Sequence, residues 1–386
     1  MLERTFRGLR RDLRFFLGGL VAEPPPPFLV RHRPVRPLEG REVRVDRVER
    51  PALDSVSLHL VDRAGEPLRF RAGQFFTLLV EVDGQLLRRA YSASSAPGAG
   101  PGVEITVRRV PGGLVSNHLV DHADAGQLLR LLGPSGSFLP PEELDELVLI
   151  AGGSGITPIV SIVRDRLTRS AERTRIHVLY GHRSGELAAF ASELAALAKT
   201  HPRLGLRLVF EQPGGELEHA VGRLDRATVR ASLESLGALG PREGKKRAYM
   251  ICGPVGMMDE VRAALGEASV EPDELFEERF ASPSVASVDV GAAKEPQPLL
   301  VRRSGRSRAL VVAPGQTLLE AATAAGVEMP YSCTMGGCGA CRVKLVEGQV
   351  TESEPTCLSA SERASGQILA CVARPLGPCT VEVERP

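Results

Sequence analysis

A chain of 386 residues is longer than one ordinary domain, so two or three domains are expected. Apolar residues make up 43% and charged residues 25%, with a net charge of +1, which fits a globular protein and gives no basic field for nucleic acid. The 40 glycines and 29 prolines speak against a long helical bundle, and seven cysteines, six of them beyond residue 330, fit one local metal or cluster site better than a secreted disulfide framework.

Residues 1–23 read as a basic amphipathic helix. Leu2, Phe6, Leu9, Leu13, Phe16, Leu17 and Leu20 share one face, while Arg4, Arg7, Arg10, Arg11 and Arg14 lie mostly elsewhere. Three readings stay open: packing on the next domain, docking on an anionic membrane or a partner, and a signal peptide. Arg14 interrupts the apolar run and no small-residue cleavage site follows, which weighs against the last. Pro24–Pro27 end the helix, so 1–40 forms a separate extension. No apolar run is long enough to span a bilayer.

From 41 to 141 the sequence alternates apolar and polar residues between Gly, Pro and Asp turns. VRVDRV, SVSLHL, FFTLLVEV, LLRRAYSAS and VEITVRRV predict an antiparallel β-barrel. From 142 to 280 the pattern becomes strand–helix alternation. LVLIAGGSGITPIVSIVRDRL, IHVLYGHRS, ELAAFASELAALAKTH, RLGLRLVFE, ATVRASLESLG and RAYMICGPVGMMDEVRAALGEA predict an α/β domain with a parallel sheet. The segment 281–298 reads as a linker. From 299 to 386, two short strands and a helix over TLLEAATAAGV precede the loop CTMGGCGAC.

In that loop Cys333, Cys338 and Cys341 stand at C-x4-C-x2-C. Zinc sites more often pair two C-x2-C hooks, whereas this spacing with a distant fourth cysteine is that of plant-type [2Fe–2S] ferredoxins. Glycines at 336, 337 and 339 allow a tight turn and close approach of backbone N–H groups to cluster sulfurs. Spacing alone leaves Cys357, Cys371 and Cys379 as candidates for the fourth ligand.

PYSCTMGGCGAC followed by ILACVARP resembles the plant-type ferredoxin family, and the resemblance implies Cys371 as the fourth ligand beside Cys333, Cys338 and Cys341. It also implies a β-grasp fold for this domain. Thr334-Met335 departs from the basic or small residues common there. Upstream, RRAYSASS and VPGGLVSNHL together resemble the flavin-binding domain of the ferredoxin–NADP reductase superfamily. The resemblance implies that Arg89 bonds the flavin diphosphate, that Tyr91 stacks on the isoalloxazine and that Ser92 bonds near N5. Gly113, Val115 and Ser116 then match the second phosphate-binding turn, which favours FAD over FMN, and Val107 and Arg109 complete the expected contacts. A guanidinium fork suits a diphosphate, and an aromatic face suits a flat ring.

LVLIAGGSGITP is not the G-x-G-x-x-G fingerprint but resembles the dinucleotide-binding turn of the same superfamily, which implies contacts from Gly152, Gly153, Gly155 and Thr157. CGPVGMM matches its C-G-P element, Cys252, Gly253 and Pro254, and places Cys252 beside the nicotinamide–flavin contact with Tyr91 and Ser92. A buried strand-end thiol is the plainer reading of Cys252. Arg183 and Ser184 offer a 2′-phosphate site, Arg223 a second contact and Glu186 an acid, so NADH and NADPH both stay open.

The resemblance spans about residues 40–386 in the order flavin domain, nicotinamide domain, ferredoxin domain. It implies a reductase that passes electrons from NAD(P)H through FAD and a [2Fe–2S] cluster to an oxygenase, hydroxylase or desaturase. The expected location is cytoplasmic, with residues 1–23 placed to contact the inner face of a membrane. The rival readings are a reductase serving a separate carrier or hybrid-cluster protein, and a redox sensor without turnover.

Overall fold

The computed structural model describes residues 40–386 except 170–172, 241–243, 281–292, 332, 335, 338, 353–356, 359 and 384–386. The expected N-terminal helix, Pro24–Pro27, most of the expected linker and Cys338 therefore lie outside the described residues.

Six strands form the first sheet: β1 (Arg41–Ala52), β2 (Ser55–Asp62), β3 (Phe75–Val82), β4 (Gln85–Ser92), β5 (Val103–Arg108) and β6 (Leu128–Ser135). All pairings are antiparallel in the order β4-β3-β6-β1-β2-β5, and a bridge from Ala93 to Ile105 closes the sheet into a barrel. Period-2 alternation makes the core: Val43 and Val45 point inward from β1 while Glu42 and Arg44 point out. Asp83-Gly84, with φ of 52° and 74°, supplies the tight turn between β3 and β4. Helix α1 (Leu114–His122) buries Val115, Leu119 and Val120 against the barrel core.

The second sheet holds β7 (Glu146–Gly152), β8 (Arg175–His182), β9 (Leu204–Phe210), β10 (Ala220–Val221), β11 (Arg247–Cys252) and β12 (Leu275–Glu278). Its order is β10-β9-β8-β7-β11-β12, all parallel. Helices α2 (Ile156–Thr168), α3 (Ala191–Thr200), α4 (Arg226–Ser235) and α5 (Val255–Glu267) connect these strands. Strand β7 is buried throughout because helices cover both faces: Leu147 and Leu149 enter one core cluster, Val148 and Ile150 the other. The helix expected from ELAAFASELAALAKTH starts late, at Ala191, because Phe190 sits in the left-handed region at φ 64°. The short edge strand β12 has no counterpart in the sequence reading.

Arg164 of α2 joins these two layers. Its guanidinium holds Glu193 through two contacts of 2.7 Å, Glu104 of the barrel at 2.9 Å and the Ser94 carbonyl at 2.8 Å. Glu104 is 6% exposed, so the pair is largely out of water and fixes how barrel and parallel sheet meet.

The third sheet contains β13 (Gln297–Arg303), β14 (Arg306–Val312), β15 (Arg342–Glu347), β17 (Gln367–Leu369) and β19 (Cys379–Val383) in the order β14-β13-β19-β15-β17. β13 and β19 run parallel and the other pairs antiparallel, the mixed sheet expected for this domain. β16 (Val350–Glu352) pairs with β18 (Ala373–Pro375), and two short helices, α6 (Leu318–Ala324) and α7 (Ala360–Ala364), complete the domain. Helix α6 begins at a capping box in which Thr317 and Glu320 satisfy each other's backbone N–H. The sheet takes in Gln297 and Pro298, two residues the sequence reading gave to the linker.

Candidate functional site

Strand β4 pairs with β3 so that Leu78 lies opposite Arg89 and Phe76 opposite Tyr91. Arg89 and Tyr91, two residues apart, thus share one face of the strand. That face, together with Ser92, walls a cavity of about 660 Å³. The turn before α1 forms another wall with Gly113, Val115 and Ser116, and Arg109 lies on the rim. Gly113 is the N-cap of α1 without a side-chain cap, so the first helical N–H groups stay available to an anion. A Cβ at Gly113 would lie 2.4 Å from Ser116 Oγ, so a larger residue would turn that hydroxyl away from the Val110 N–H, which donates to it at 3.3 Å. Burial pushes the Tyr91 phenol up and keeps it neutral. Val107 does not share this cavity: it is fully buried in the barrel core.

The cysteine loop reaches the same cavity. Cys333 and Gly337 line it, and Cys333 packs against Phe75 of β3. Arg88 Nη1 donates to Thr334 Oγ1 at 3.1 Å, tying the barrel to the loop. Around the loop, Cys341 and Cys371 share a thiol hydrogen bond that holds Cys341 below the ordinary thiol range and Cys371 above it. The Gly336 N–H donates to Cys371 Sγ at 3.3 Å. Cys333 is close enough to influence both thiols electrostatically. Three thiols and a backbone donor therefore converge, the donor chemistry an iron–sulfur cluster uses. Cys357 backs the loop, its N–H bonded to the Gly336 carbonyl at 2.9 Å, and burial raises its thiol to about 11. Cys379 is buried in β19, and burial raises its thiol to about 11 as well. No described cysteine is in a disulfide.

A second cavity, of about 460 Å³, runs along the carboxyl ends of the parallel strands, where a doubly wound sheet binds its ligands. Gly152, Gly153 and Pro254 line it, and Arg108 and Arg183 line both cavities. Thr157 lies on the wall of the first cavity instead, its hydroxyl bonded to the Ser154 carbonyl at 3.1 Å. Gly155, Ser184 and Gly253 line neither cavity: a Cβ at Gly155 would meet the Cys252 carbonyl oxygen at 2.1 Å, and one at Gly253 would meet Met257 Cε at 2.6 Å. Cys252 also lines neither. It has no exposure, packs in the core and is pushed well above the ordinary thiol range by burial, with the Glu278 charge adding to the rise. The plainer reading of Cys252, a buried strand-end thiol, describes its surroundings; its backbone rather than its sulfur abuts the glycine turn.

Two residues that the sequence reading missed complete the junction. Arg108, at the end of β5, is held by Asp54 at 2.8 Å and stands between the two cavities. Glu278, at the end of β12, lines the first cavity and accepts from Ser92 Oγ at 3.5 Å. Burial raises its carboxyl from 4.5 to about 8, and the Ser92 hydrogen bond offsets part of that rise. A folded pKa above the unfolded one means that stability is full below about 4.5 and is lost as pH rises through about 8. Thermal unfolding of the holoprotein at pH 5.5 and pH 9 is therefore expected to show a smaller loss for Glu278→Gln than for the native chain. Equal losses would mean that Glu278 is ionised throughout.

Comparisons with known proteins agree with this geometry. Residues 52–139 match an oxidoreductase FAD-binding domain, 149–263 an oxidoreductase NAD-binding domain and 301–376 a 2Fe-2S iron-sulfur cluster binding domain. The chain is 32% identical to one of the subunits of the 1,2-phenylacetyl-CoA epoxidase of Escherichia coli K12, covering 86% of this chain and 94% of that protein. The chain belongs to the ferredoxin–NADP reductase superfamily. This reductase is also 31% identical to the ferredoxin reductase component of 3-ketosteroid-9-alpha-monooxygenase of Rhodococcus rhodochrous, over 83% of this chain and 90% of that one. Its fold matches phthalate dioxygenase reductase with a TM-score of 0.59 and 25% identity, over 88% of this chain and 97% of that one. The reductase is a flavin and iron–sulfur oxidoreductase whose cofactors are FAD, a [2Fe–2S] cluster and NAD(P)H. Among the described residues no helix is long and apolar enough to cross a membrane.

Proposed function

We propose that the reductase serves an iron oxygenase, hydroxylase or desaturase, handing it single electrons drawn from NAD(P)H. The observation that carries this reading is Cys333 of the cluster loop on the wall of the cavity that Arg89, Tyr91 and Ser92 also form. The relatives are components of oxygenase and epoxidase systems by name, which supports the same partner class. FAD, when bound, supplies a two-electron to one-electron conversion, and the cluster supplies one-electron transfer outward.

The residues divide the remaining work. Arg89 gives a guanidinium fork to the flavin diphosphate, and Gly113, Val115 and Ser116 offer the N-terminus of α1 to the second phosphate. Tyr91 covers the ring, and Arg109 closes the rim. Ser92 Oγ and the Glu278 carboxyl hold a proton beside the flavin site. Gly152, Gly153 and Thr157 keep the dinucleotide turn narrow, and Pro254 faces it across the cleft. Cys333, Cys338, Cys341 and Cys371 ligate the cluster. Holoprotein supplied with NAD(P)H is expected to reduce two cytochrome c molecules per nicotinamide oxidised. No cytochrome c reduction would reject the one-electron exit.

We also place the reductase in the cytoplasm, with residues 1–23 resting on the inner face of a membrane. The arginine-rich, leucine-lined sequence of that segment supports this. Removing residues 1–23 is expected to abolish co-sedimentation with anionic phospholipid vesicles. Undiminished co-sedimentation would reject the membrane contact.

A further inference from the structure

Strand β4 carries two arginines in succession, and strand alternation sends them to opposite faces. Arg89 lines the flavin cavity, and its Nη1 donates to the Arg88 carbonyl at 2.7 Å. Arg88 does not line that cavity. Its side chain reaches the cluster loop, where Nη1 donates to Thr334 Oγ1 at 3.1 Å. One strand thus offers one guanidinium to the flavin diphosphate and another to the residue that follows Cys333.

Thr334 is also where the loop departs from the ferredoxin pattern, and its conformation is unfavourable. Its φ is 58°, in the left-handed region that a β-branched residue rarely adopts. Gly336 and Gly339 take positive φ in the same loop, at 78° and 70°, with no side chain to clash. A glycine at 334 would make the turn with less strain but would lack the hydroxyl. Strain of this kind persists where a surrounding contact holds it, and here that contact is the Arg88 guanidinium. The donor is charged and the contact is partly buried, so water competes for it less than at an open surface.

The neighbours of Thr334 show what the contact fixes. Cys333, one residue before, lines the flavin cavity and packs against Phe75 of β3. Two residues after, the Gly336 N–H donates to Cys371 Sγ at 3.3 Å. Holding Thr334 therefore holds a short segment that touches the flavin cavity at one end and a second cluster thiol at the other. We propose that Arg88 and Thr334 are positioning residues that latch the cluster loop onto the barrel and so set the rate of electron passage from flavin to cluster. The pair itself carries neither electron nor proton. NAD(P)H supplies two electrons to the flavin; one crosses to the cluster, taking one iron from ferric to ferrous, and the second follows once the partner has taken the first. The proposal rests on reading the cavity of Arg89 and Tyr91 as the flavin site.

The test is single-turnover reduction of full-length holoprotein by NAD(P)H, followed at flavin and cluster wavelengths, with hydrogen exchange of the loop amides read in parallel. Arg88→Gln and Thr334→Gly should each slow cluster reduction about tenfold, since a charge-assisted hydrogen bond is lost, while flavin reduction, bound FAD and iron content stay native. Glycine suits the backbone at 334, so slowing in Thr334→Gly does not come from a strained loop. Amides of residues 333–341 should exchange about tenfold faster in both variants. Thr334→Ser keeps the hydroxyl and should keep the native rate. The double variant should be no slower than either single one, because each already breaks the same bond. A native rate of cluster reduction in either single variant, unchanged loop exchange, loss of the cluster, a slow Thr334→Ser or additive slowing in the double variant overturns the proposal alone. Undiminished FAD affinity in Arg89→Ala overturns the reading of the cavity and the proposal with it.

Discussion

Replacing Cys371 by alanine is expected to remove the visible absorption of the iron–sulfur cluster and to bring cytochrome c reduction to background, while NAD(P)H-driven ferricyanide reduction continues. The expectation follows from where the thiols meet. Cys371 lies between β17 and β18, and the neighbouring Ala370 N–H donates to the Cys341 carbonyl at 3.0 Å. This holds the Cys371 segment against the loop that carries Cys333 and Cys341. The Gly336 N–H then points at Cys371 Sγ. A plant-type [2Fe–2S] cluster needs four thiolates, and one missing ligand leaves an iron open to solvent. Cys357 makes the discriminating control. Its thiol also lies near the loop, where a Cβ on Gly339 would be 3.5 Å away, but it feels Cys333 and Cys341 only through charge and does not share the Cys341–Cys371 thiol hydrogen bond. Cys357→Ala should therefore retain the absorption and cytochrome c reduction. Loss in Cys357→Ala with retention in Cys371→Ala would reassign the fourth ligand.

The parts of the fold that were legible in the sequence are those whose signal is local. Alternation in VRVDRV, the Gly, Pro and Asp turns between the strands, the apolar strand before GGSGITP and the C-x4-C-x2-C spacing each depend on a few neighbouring residues. Glu278 has no such signal. In LFEERF it looks like any surface acid, and it reaches the flavin cavity only because β12 pairs in parallel with β11, setting Glu278 opposite Cys252. The same pairing explains the difference at Cys252. The sequence reading placed it beside the nicotinamide–flavin contact, but its side chain points into the core and the acid across the ladder lines the cavity instead. Arg108 was hidden in the same way, since its place between two cavities depends on Asp54 and on the domain junction. The late start of α3 escaped because nothing in an alanine-rich stretch marks Phe190 as left-handed.

Gly155→Ala is expected to lower NAD(P)H-driven flavin reduction by about 100-fold and to cost about 1–3 kcal/mol of stability, although it adds one methyl group. Conformation is not the reason. Gly155 has φ −63° and ψ −6°, which any residue adopts. Space is the reason. A Cβ there would lie 2.1 Å from the Cys252 carbonyl oxygen, 2.4 Å from its carbon and 2.8 Å from the Gly253 nitrogen. These are backbone atoms at the end of β11, so no rotamer change relieves the contact. The turn after β7 must separate from the turn after β11, and those two turns carry Gly153 and Pro254, the two sides of the dinucleotide cleft. Gly152 differs: its Cβ would meet Met257 Sδ at 2.3 Å, part of a flexible side chain that can swing away, and the Pro254 ring at Cδ at 2.9 Å, but no backbone atom as close as those at Gly155, so Gly152→Ala should cost less. Gly266, within α5, has nothing within 4 Å, and Gly266→Ala should raise stability by up to about 1 kcal/mol through helix propensity. Single-turnover reduction of the flavin, read with thermal unfolding of the three variants, checks the order. If Gly155→Ala reduced its flavin at the native rate, the close packing of the two turns would not be what shapes the cleft.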